Sequence, residues 1–183
     1  GAANEISAIL QRQRELSIQG ANDTLTSTER AYLDQEFQHL TSEITRIAEG
    51  TQYNGMTLID GGTNSFGAGA SAPSVLHIGA NDAAGVDSLQ ISIDGLTAGS
   101  LGLTGSASSN VGVSTQAASN SAIGALDTAI GSVNKMRSDL GAYINRLDHA
   151  VNNISNQEFN TQDAESRIRD VDFATETSQF TRN

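Results

Sequence analysis

Ile123–Ile154, reading IGALDTAIGSVNKMRSDLGAYINRLDHAVNNI, decides the fold. Ile123, Leu126, Ile130, Val133, Leu140, Ile144, Leu147, Val151 and Ile154 recur at intervals of three and four residues, and Arg137 fills the one charged slot in the series. Strand side chains alternate with period two, so this spacing calls for a helix. With Ile123 taken as an a position, Ala122, Ala129, Met136, Tyr143 and Ala150 fall at g and widen the a/d seam. A face that wide belongs in a bundle of three or more helices. Starting within 114–121 and running to at least Ile154, the helix is roughly 50–60 Å long, which predicts a rod. A long helix inside a compact globule is the alternative, but little else here is bulky enough to surround it. Tryptophan is absent, and aromatic residues are limited to five Phe and three Tyr.

Working outward, the amino-terminal flank carries two more helical patterns. Ile6, Ile9, Leu10 and Leu16 share a face, and Gly20-Ala21-Asn22-Asp23 supplies a stop. Thr26, Ser27 or Thr28 can cap the next helix, whose first turn places Glu29 near the positive end of the helix dipole. Leu33, Phe37, Leu40, Ile44 and Ile47 then form a coiled-coil-like seam, ended by Gly50.

Charge divides the chain. The net charge is −11, from ten Lys+Arg against 21 Asp+Glu. Every basic residue lies at or before Arg46 or at or after Lys135, while most of the glycine and the sole proline, Pro73, lie between. Val75-Leu76-His77-Ile78 and Leu89–Ile93 alternate, with Gly79-Ala80-Asn81-Asp82 as a turn, so this middle part reads as short hairpins. Gly67–Ser74 and Gly105–Ser109 read as surface loops, and a disordered linker competes over Thr63–Ser74. The fold expected is mainly α: an elongated antiparallel helical bundle with coiled-coil-like seams and a small β-hairpin region at one end. Its parts are helices at 1–22 and 28–50, turns and hairpins at 51–113, a long helix at 115–155 and a helical extension at 156–183, together one rod domain.

The acidic balance opposes nucleic acid and anionic membrane, since both polyanions want clustered Lys/Arg. No apolar run approaches the ~18 residues of a membrane span. Without cysteine there is no disulfide, thiolate metal site or cysteine nucleophile. His39, His77 and His149 are scattered and none begins an H-E-x-x-H pattern, no G-x-S-x-G elbow occurs, and the only lysine, Lys135, sits mid-helix rather than in a phosphate loop. Asp170 and Asp172 point to different helix faces, and no distal glutamate follows to complete a calcium loop. No catalytic residue, metal site or cofactor is nominated.

Several motifs are recognisable in order. Leu10–Gln19 (LQRQRELSIQ), followed by Ala21-Asn22, resembles the first rod-domain helix of bacterial flagellin. Thr51–Leu58 (TQYNGMTL) is similar to that family's turn after the second helix, and His77–Asp82 (HIGAND) to its first hairpin. Ser138–Ala142 with Asn145–Leu147 resembles the carboxy-terminal helix, and Glu165–Glu176 (ESRIRDVDFATE) the final motif before the tube-forming end. Leu101-Gly102-Leu103 resembles the end of the hairpin region, so the family's variable outer insertion is nearly absent.

The resemblance implies a non-enzymatic structural subunit, exported through the flagellar channel and assembled outside the cell with other flagellin subunits into the motility filament. Its partners would be those subunits and the flagellar export and assembly proteins. In the family the two chain ends form an inner coiled coil. The chain here is expected to be a rod fragment lacking those ends, and so not to polymerise. The segment from about Glu158 to Asn183 is expected to be helical but poorly packed. A cell-surface binding module or adhesin using the hairpin face is the alternative function.

The resemblance also implies contact with the host innate-immune flagellin receptor. In some flagellins that receptor meets an arginine and a leucine on the first rod helix and a glutamate on the second, which correspond to Arg12, Leu16 and Glu36. Arg12 and Leu16 are i, i+4 neighbours, although Gln13 and Ser17 are less apolar than the family usually carries there. The alternative is that Leu16 is buried in the bundle and that Arg12 and Glu36 merely pair. Independently of the family, Gly124, Gly131 and Ser138 repeat at seven residues on the b position, continued by Asn145 and Asn152. That row reads either as a packing strip for a neighbouring subunit or as glycine tolerated on a solvated face.

Overall fold

A computed structural model of the chain describes residues 1–62, 65–67, 73–79, 85, 87–104 and 111–182. Among these, helix α1 spans Ala2–Gly20, α2 Ser27–Gly50 and α3 Gln116–Arg182. Between α2 and α3 lie strands β1 (Gln52–Tyr53), β2 (Met56–Thr57), β3 (Ser74–His77) and β4 (Ser88–Ile91). β1 pairs with β2 and β3 with β4 as two small antiparallel hairpins. The chain forms two compact units, one of Gly1–Leu76 with Leu89–Gly141, the other of His77–Ser88 with Ala142–Asn183.

In the first unit α1 runs antiparallel to both other helices. Its Gln13 meets Phe37 and Thr41 while its Gly20 meets Arg30. Toward α3, Arg14 meets Asp127, and Gly20 lies beside Ser119. The α1–α2 turn is held from α2: the Arg30 guanidinium donates to Gly20 O at 3.0 Å and Asn22 O at 2.8 Å, satisfying carbonyls that a helix end leaves open. Of the three candidate caps, Thr26 is the one used. Its hydroxyl accepts from Glu29 N–H at 3.3 Å, and Glu29 Oε2 accepts from Thr26 N–H at 2.8 Å, a reciprocal capping box.

The packed stripes differ from the apolar seams. On α2 the buried residues are Phe37, Thr41, Ile44 and Ala48, whereas Leu33, Leu40 and Ile47 are only half-buried. On the first part of α3 they are Ala122, Leu126, Ala129, Val133 and Met136, with Ile123 and Ile130 at the margin. The packed face of α3 is therefore the d/g part of the expected a/d/g face, with the a positions at its margin. On α1, Ile6, Leu10, Gln13, Leu16, Ser17 and Gly20 are buried and Ile9 is half-buried. A Cβ on Gly20 would lie 2.7 Å from Ser119 Oγ and 3.3 Å from Val113 Cβ.

The glycine-rich middle contributes core as well as loops. Leu89, Ile91, Ile93, Leu96, Ala98, Leu101, Leu103 and Val113 are all buried in this unit. α2 holds the segment: Asp34 Oδ1 accepts from Val113 N–H at 2.7 Å, Gln38 Nε2 donates to Val111 O at 3.1 Å, and Thr45 Oγ1 accepts from Ala98 N–H at 3.3 Å. The 59–61 and 95–96 stretches cross in near backbone contact. Leu96 N–H donates to Ile59 O at 2.7 Å, and a Cβ on Gly95 would lie 2.8 Å from Gly61 Cα. Gly61 also has φ +72°, open to glycine at little cost. The β1–β2 hairpin turns on Asn54 (φ 51°) and Gly55 (φ 77°), the pair that a two-residue type I′ turn requires, and Tyr53 pairs with Met56.

In the second unit α3 continues to Arg182 without a break. Ile144, Val151, Phe159, Ile168 and Phe180 are exposed, Phe180 to 86%. Tyr143, Leu147 and Ala150 are half-buried. The side chains of Val171 and Phe173, part of the expected poorly packed segment, lie outside the described residues, as do positions 80–82 of the expected turn and the 105–109 loop.

Two outcomes test this account. Gly95→Ala should destabilise the fold by about 1–3 kcal/mol, since the methyl meets backbone that cannot yield as a side-chain tip would; chemical denaturation measures it. Thr26 holds the Glu29 carboxyl below the usual carboxylate range, through its N–H first and its hydroxyl second. A carboxylate with a lowered folded pKa stabilises at pH above its unfolded value, and that contribution is lost as pH falls toward the folded one. Glu29→Gln should therefore lower Tm by about 2 °C at pH 7, with the difference closing as the pH drops through the carboxylate range.

Candidate interaction surface

Arg12 and Glu36 face each other across the α1–α2 seam. Arg12 Nε and Nη2 donate to the same Glu36 oxygen at 3.0 and 2.8 Å, while Nη1 reaches Glu15 Oε2 at 3.2 Å. The arginine is thus shared between two carboxylates, and its pKa is raised first by the Glu36 hydrogen bond. Both partners remain open to solvent, at 51% and 45% exposure, so the pair contributes little to stability and is available at the surface. Leu16, one turn along α1, is 1% exposed. It is a core residue, so of Arg12, Leu16 and Glu36 only Arg12 and Glu36 are open at the surface.

Gly124, Gly131 and Ser138 lie on the outer face of α3, all exposed. A Cβ on Gly124 or Gly131 would meet nothing within 4 Å, so neither glycine is needed for packing inside this chain. An exposed glycine in a helix costs about 1 kcal/mol relative to alanine. Arg14 bridges to Asp127 at 2.7 Å between the two glycines, and Lys135 Nζ lies 3.7 Å from Asp94 and 3.5 Å from Asp139.

His39, His77 and His149 are exposed and far apart in sequence. Among the described residues, no three His, Asp or Glu side chains stand close enough to hold a metal ion. A groove of about 700 Å³ in the second unit is bounded by His77–Gly79 on one side and by Ile154, Glu158 and Glu165 on the other.

Periodicity reading passed over a buried polar contact between α1 and α2. Gln13, fully buried, donates through Nε2 to Phe37 O at 3.1 Å and to Thr41 Oγ1 at 2.7 Å. The Thr41 hydroxyl in turn donates to Phe37 O at 3.0 Å. The remaining Gln13 oxygen has no partner, a cost of about 1–3 kcal/mol for a buried acceptor. A glutamine beside a threonine carries no apolar signal. The available clue was the 4, 3, 4, 3 spacing of Ile6, Leu10, Gln13, Ser17 and Gly20.

Known proteins share this architecture and sequence. Residues 1–64 match the bacterial flagellin N-terminal helical region and residues 123–183 the bacterial flagellin C-terminal helical region. The chain is 39% identical over 182 residues to a flagellin of Halalkalibacterium halodurans, covering all of this chain and 62% of that protein. It is 39% identical over 187 residues to the flagellar filament 33 kDa core protein of Treponema phagedenis, covering 98% of this chain and 63% of that one. The crystal structure of Bacillus cereus flagellin superposes with a TM-score of 0.64 at 32% identity, covering 83% of this chain and 79% of that one. The chain spans a little under two thirds of the length of the curated relatives it matches.

Proposed function

The chain belongs to the flagellin family, and from that premise we propose that it is a structural subunit of an extracellular flagellar filament that assembles with other flagellin subunits and catalyses no reaction. The observation that carries the reading is the apolar surface of α3 in the second unit. Ile144, Val151, Phe159, Ile168 and Phe180 are exposed along one continuous helix, within the stretch that matches the family's C-terminal helical region. We take the exposed apolar side chains Ile144 and Val151, which share one helix face, as candidates for contact with other subunits. Flagellar export and assembly proteins are the further partners. The adhesin alternative gains no support from the relatives, two of which are named as a flagellin and as a filament core protein.

Within that function, the row of Gly124, Gly131 and Ser138 is the proposed packing strip, because its glycines serve no contact inside the chain. Gly131→Leu in the full-length protein should impair filament formation, seen as fewer and shorter filaments in electron micrographs. Normal filaments would make the row a plain solvated face.

The host innate-immune flagellin receptor is the proposed external partner, reached through Arg12 and Glu36, with Leu16 supporting α1 from beneath. Arg12→Ala should reduce receptor signalling by roughly tenfold while leaving Tm nearly unchanged, because the lost pair is solvent-exposed. Unchanged signalling against an active wild type would remove this site.

A further inference from the structure

Helix α2 is turned away from its own apolar seam. The seam Leu33, Phe37, Leu40, Ile44, Ile47 and the buried stripe Phe37, Thr41, Ile44, Ala48 share two members, and their centres differ by about 50° around the helix. Burial of aliphatic area alone would favour Leu40 and Ile47 inside. The structure instead buries a threonine and an alanine and leaves both aliphatics half-exposed.

The residue that meets the turned-in face is Gln13. Its amide nitrogen reaches both Thr41 Oγ1 and the Phe37 carbonyl, at 2.7 and 3.1 Å, and both contacts require Thr41 to point at α1. Turning Leu40 inward would leave the whole Gln13 amide buried without a partner, a heavier penalty than the single orphaned oxygen it now carries. We propose that Gln13 is a conformational pin, a buried amide that selects the rotational setting of α2 against α1 at a cost in stability. The setting also determines which residues are presented outward, Glu36 among them, so the pin acts indirectly on the Arg12–Glu36 surface.

Other restraints act on the same helices and define what the pin controls. The turn between α1 and α2, held by Arg30, bars a slip of a whole heptad, so rotation is the freedom that remains. Asp34, Gln38 and Thr45 bind the 98–113 segment from the flank of α2 beside the stripe. If those three bonds set the rotation by themselves, Gln13 is dispensable. Replacement by leucine removes the orphaned oxygen yet leaves Thr41 satisfied by its own bond to Phe37 O.

The test uses the 183-residue chain, which lacks cysteine, so Gln11→Cys on α1 and Gln35→Cys on α2, both exposed, take spin labels at those two sites alone. Pulsed electron paramagnetic resonance should give one distance with Gln13 present. In the Gln13→Leu background a second population should appear, displaced by about 5 Å, while Tm rises by a few degrees. A single unchanged distance would show that the flanking bonds hold α2 and would overturn the proposal. A fall in Tm would overturn it too, since Gln13 would then be an ordinary stabilising contact. Should Gln13→Leu not fold, Gln13→Met, closer in shape, carries the same two readouts and the same two refuting results.

Discussion

Helices approach closely only where their side chains are small, and in the first unit that requirement organises the rest. Ser17, Gly20, Thr41, Ala48, Ala122 and Ala129 are buried at the helix contacts. Close approach lets the Gln13 amide reach a backbone carbonyl of the neighbouring helix and brings Ser119 against Gly20. Ile6, Leu10, Phe37, Ile44, Leu126 and Val133 are buried with these small side chains, and Leu89, Ile91, Ile93, Leu96, Leu101, Leu103 and Val113 add the remaining apolar bulk.

The polar groups inside this bundle serve specificity more than stability. The Arg30 clamp on the α1 end and the Asp34 contact to Val113 each satisfy a part-buried backbone group, and the capping box at Thr26 does the same for the exposed start of α2. Gln13 differs because it satisfies one end of its amide and leaves the other unmet. Charge pairs lie outside: Arg12 with Glu36, Arg14 with Asp127 and Lys135 with Asp94 are all well exposed. They stay available to other molecules because the core does not depend on them.

The two units stand differently toward solvent. In the first, a core of apolar side chains is covered by other parts of the same chain, with Ile18, Tyr32, Tyr53 and Val75 left exposed at its surface. In the second, α3 carries exposed Val151, Phe159, Ile168 and Phe180 on backbone that remains helical. Local propensity keeps such a stretch helical only marginally, so its stability depends on what packs against it.

By itself the sequence determined that three helical stretches exist, where α2 starts and stops, that Leu89–Ile93 pairs with the Val75 strand, and, through ordered motifs, the family. These features depend on signals local in the chain: a period of three and four, a capping threonine, a glycine-rich turn. Even the β1–β2 hairpin was legible in Asn54-Gly55, though its significance as a type I′ turn was missed. Tertiary structure decided the rotational setting of α2 and α3 about their apolar faces, because apolar periodicity ranks side chains by transfer from water and is blind to backbone distance. It therefore selected Leu40 and Ile47 on α2, where packing selected Thr41 and Ala48, and on α3 it put Ile123 and Ile130 level with the Ala122 and Ala129 that are buried. It also decided that Leu16 lies beneath the Arg12–Glu36 pair rather than beside it, a distinction that i, i+4 spacing on one helix cannot make without the second helix in place.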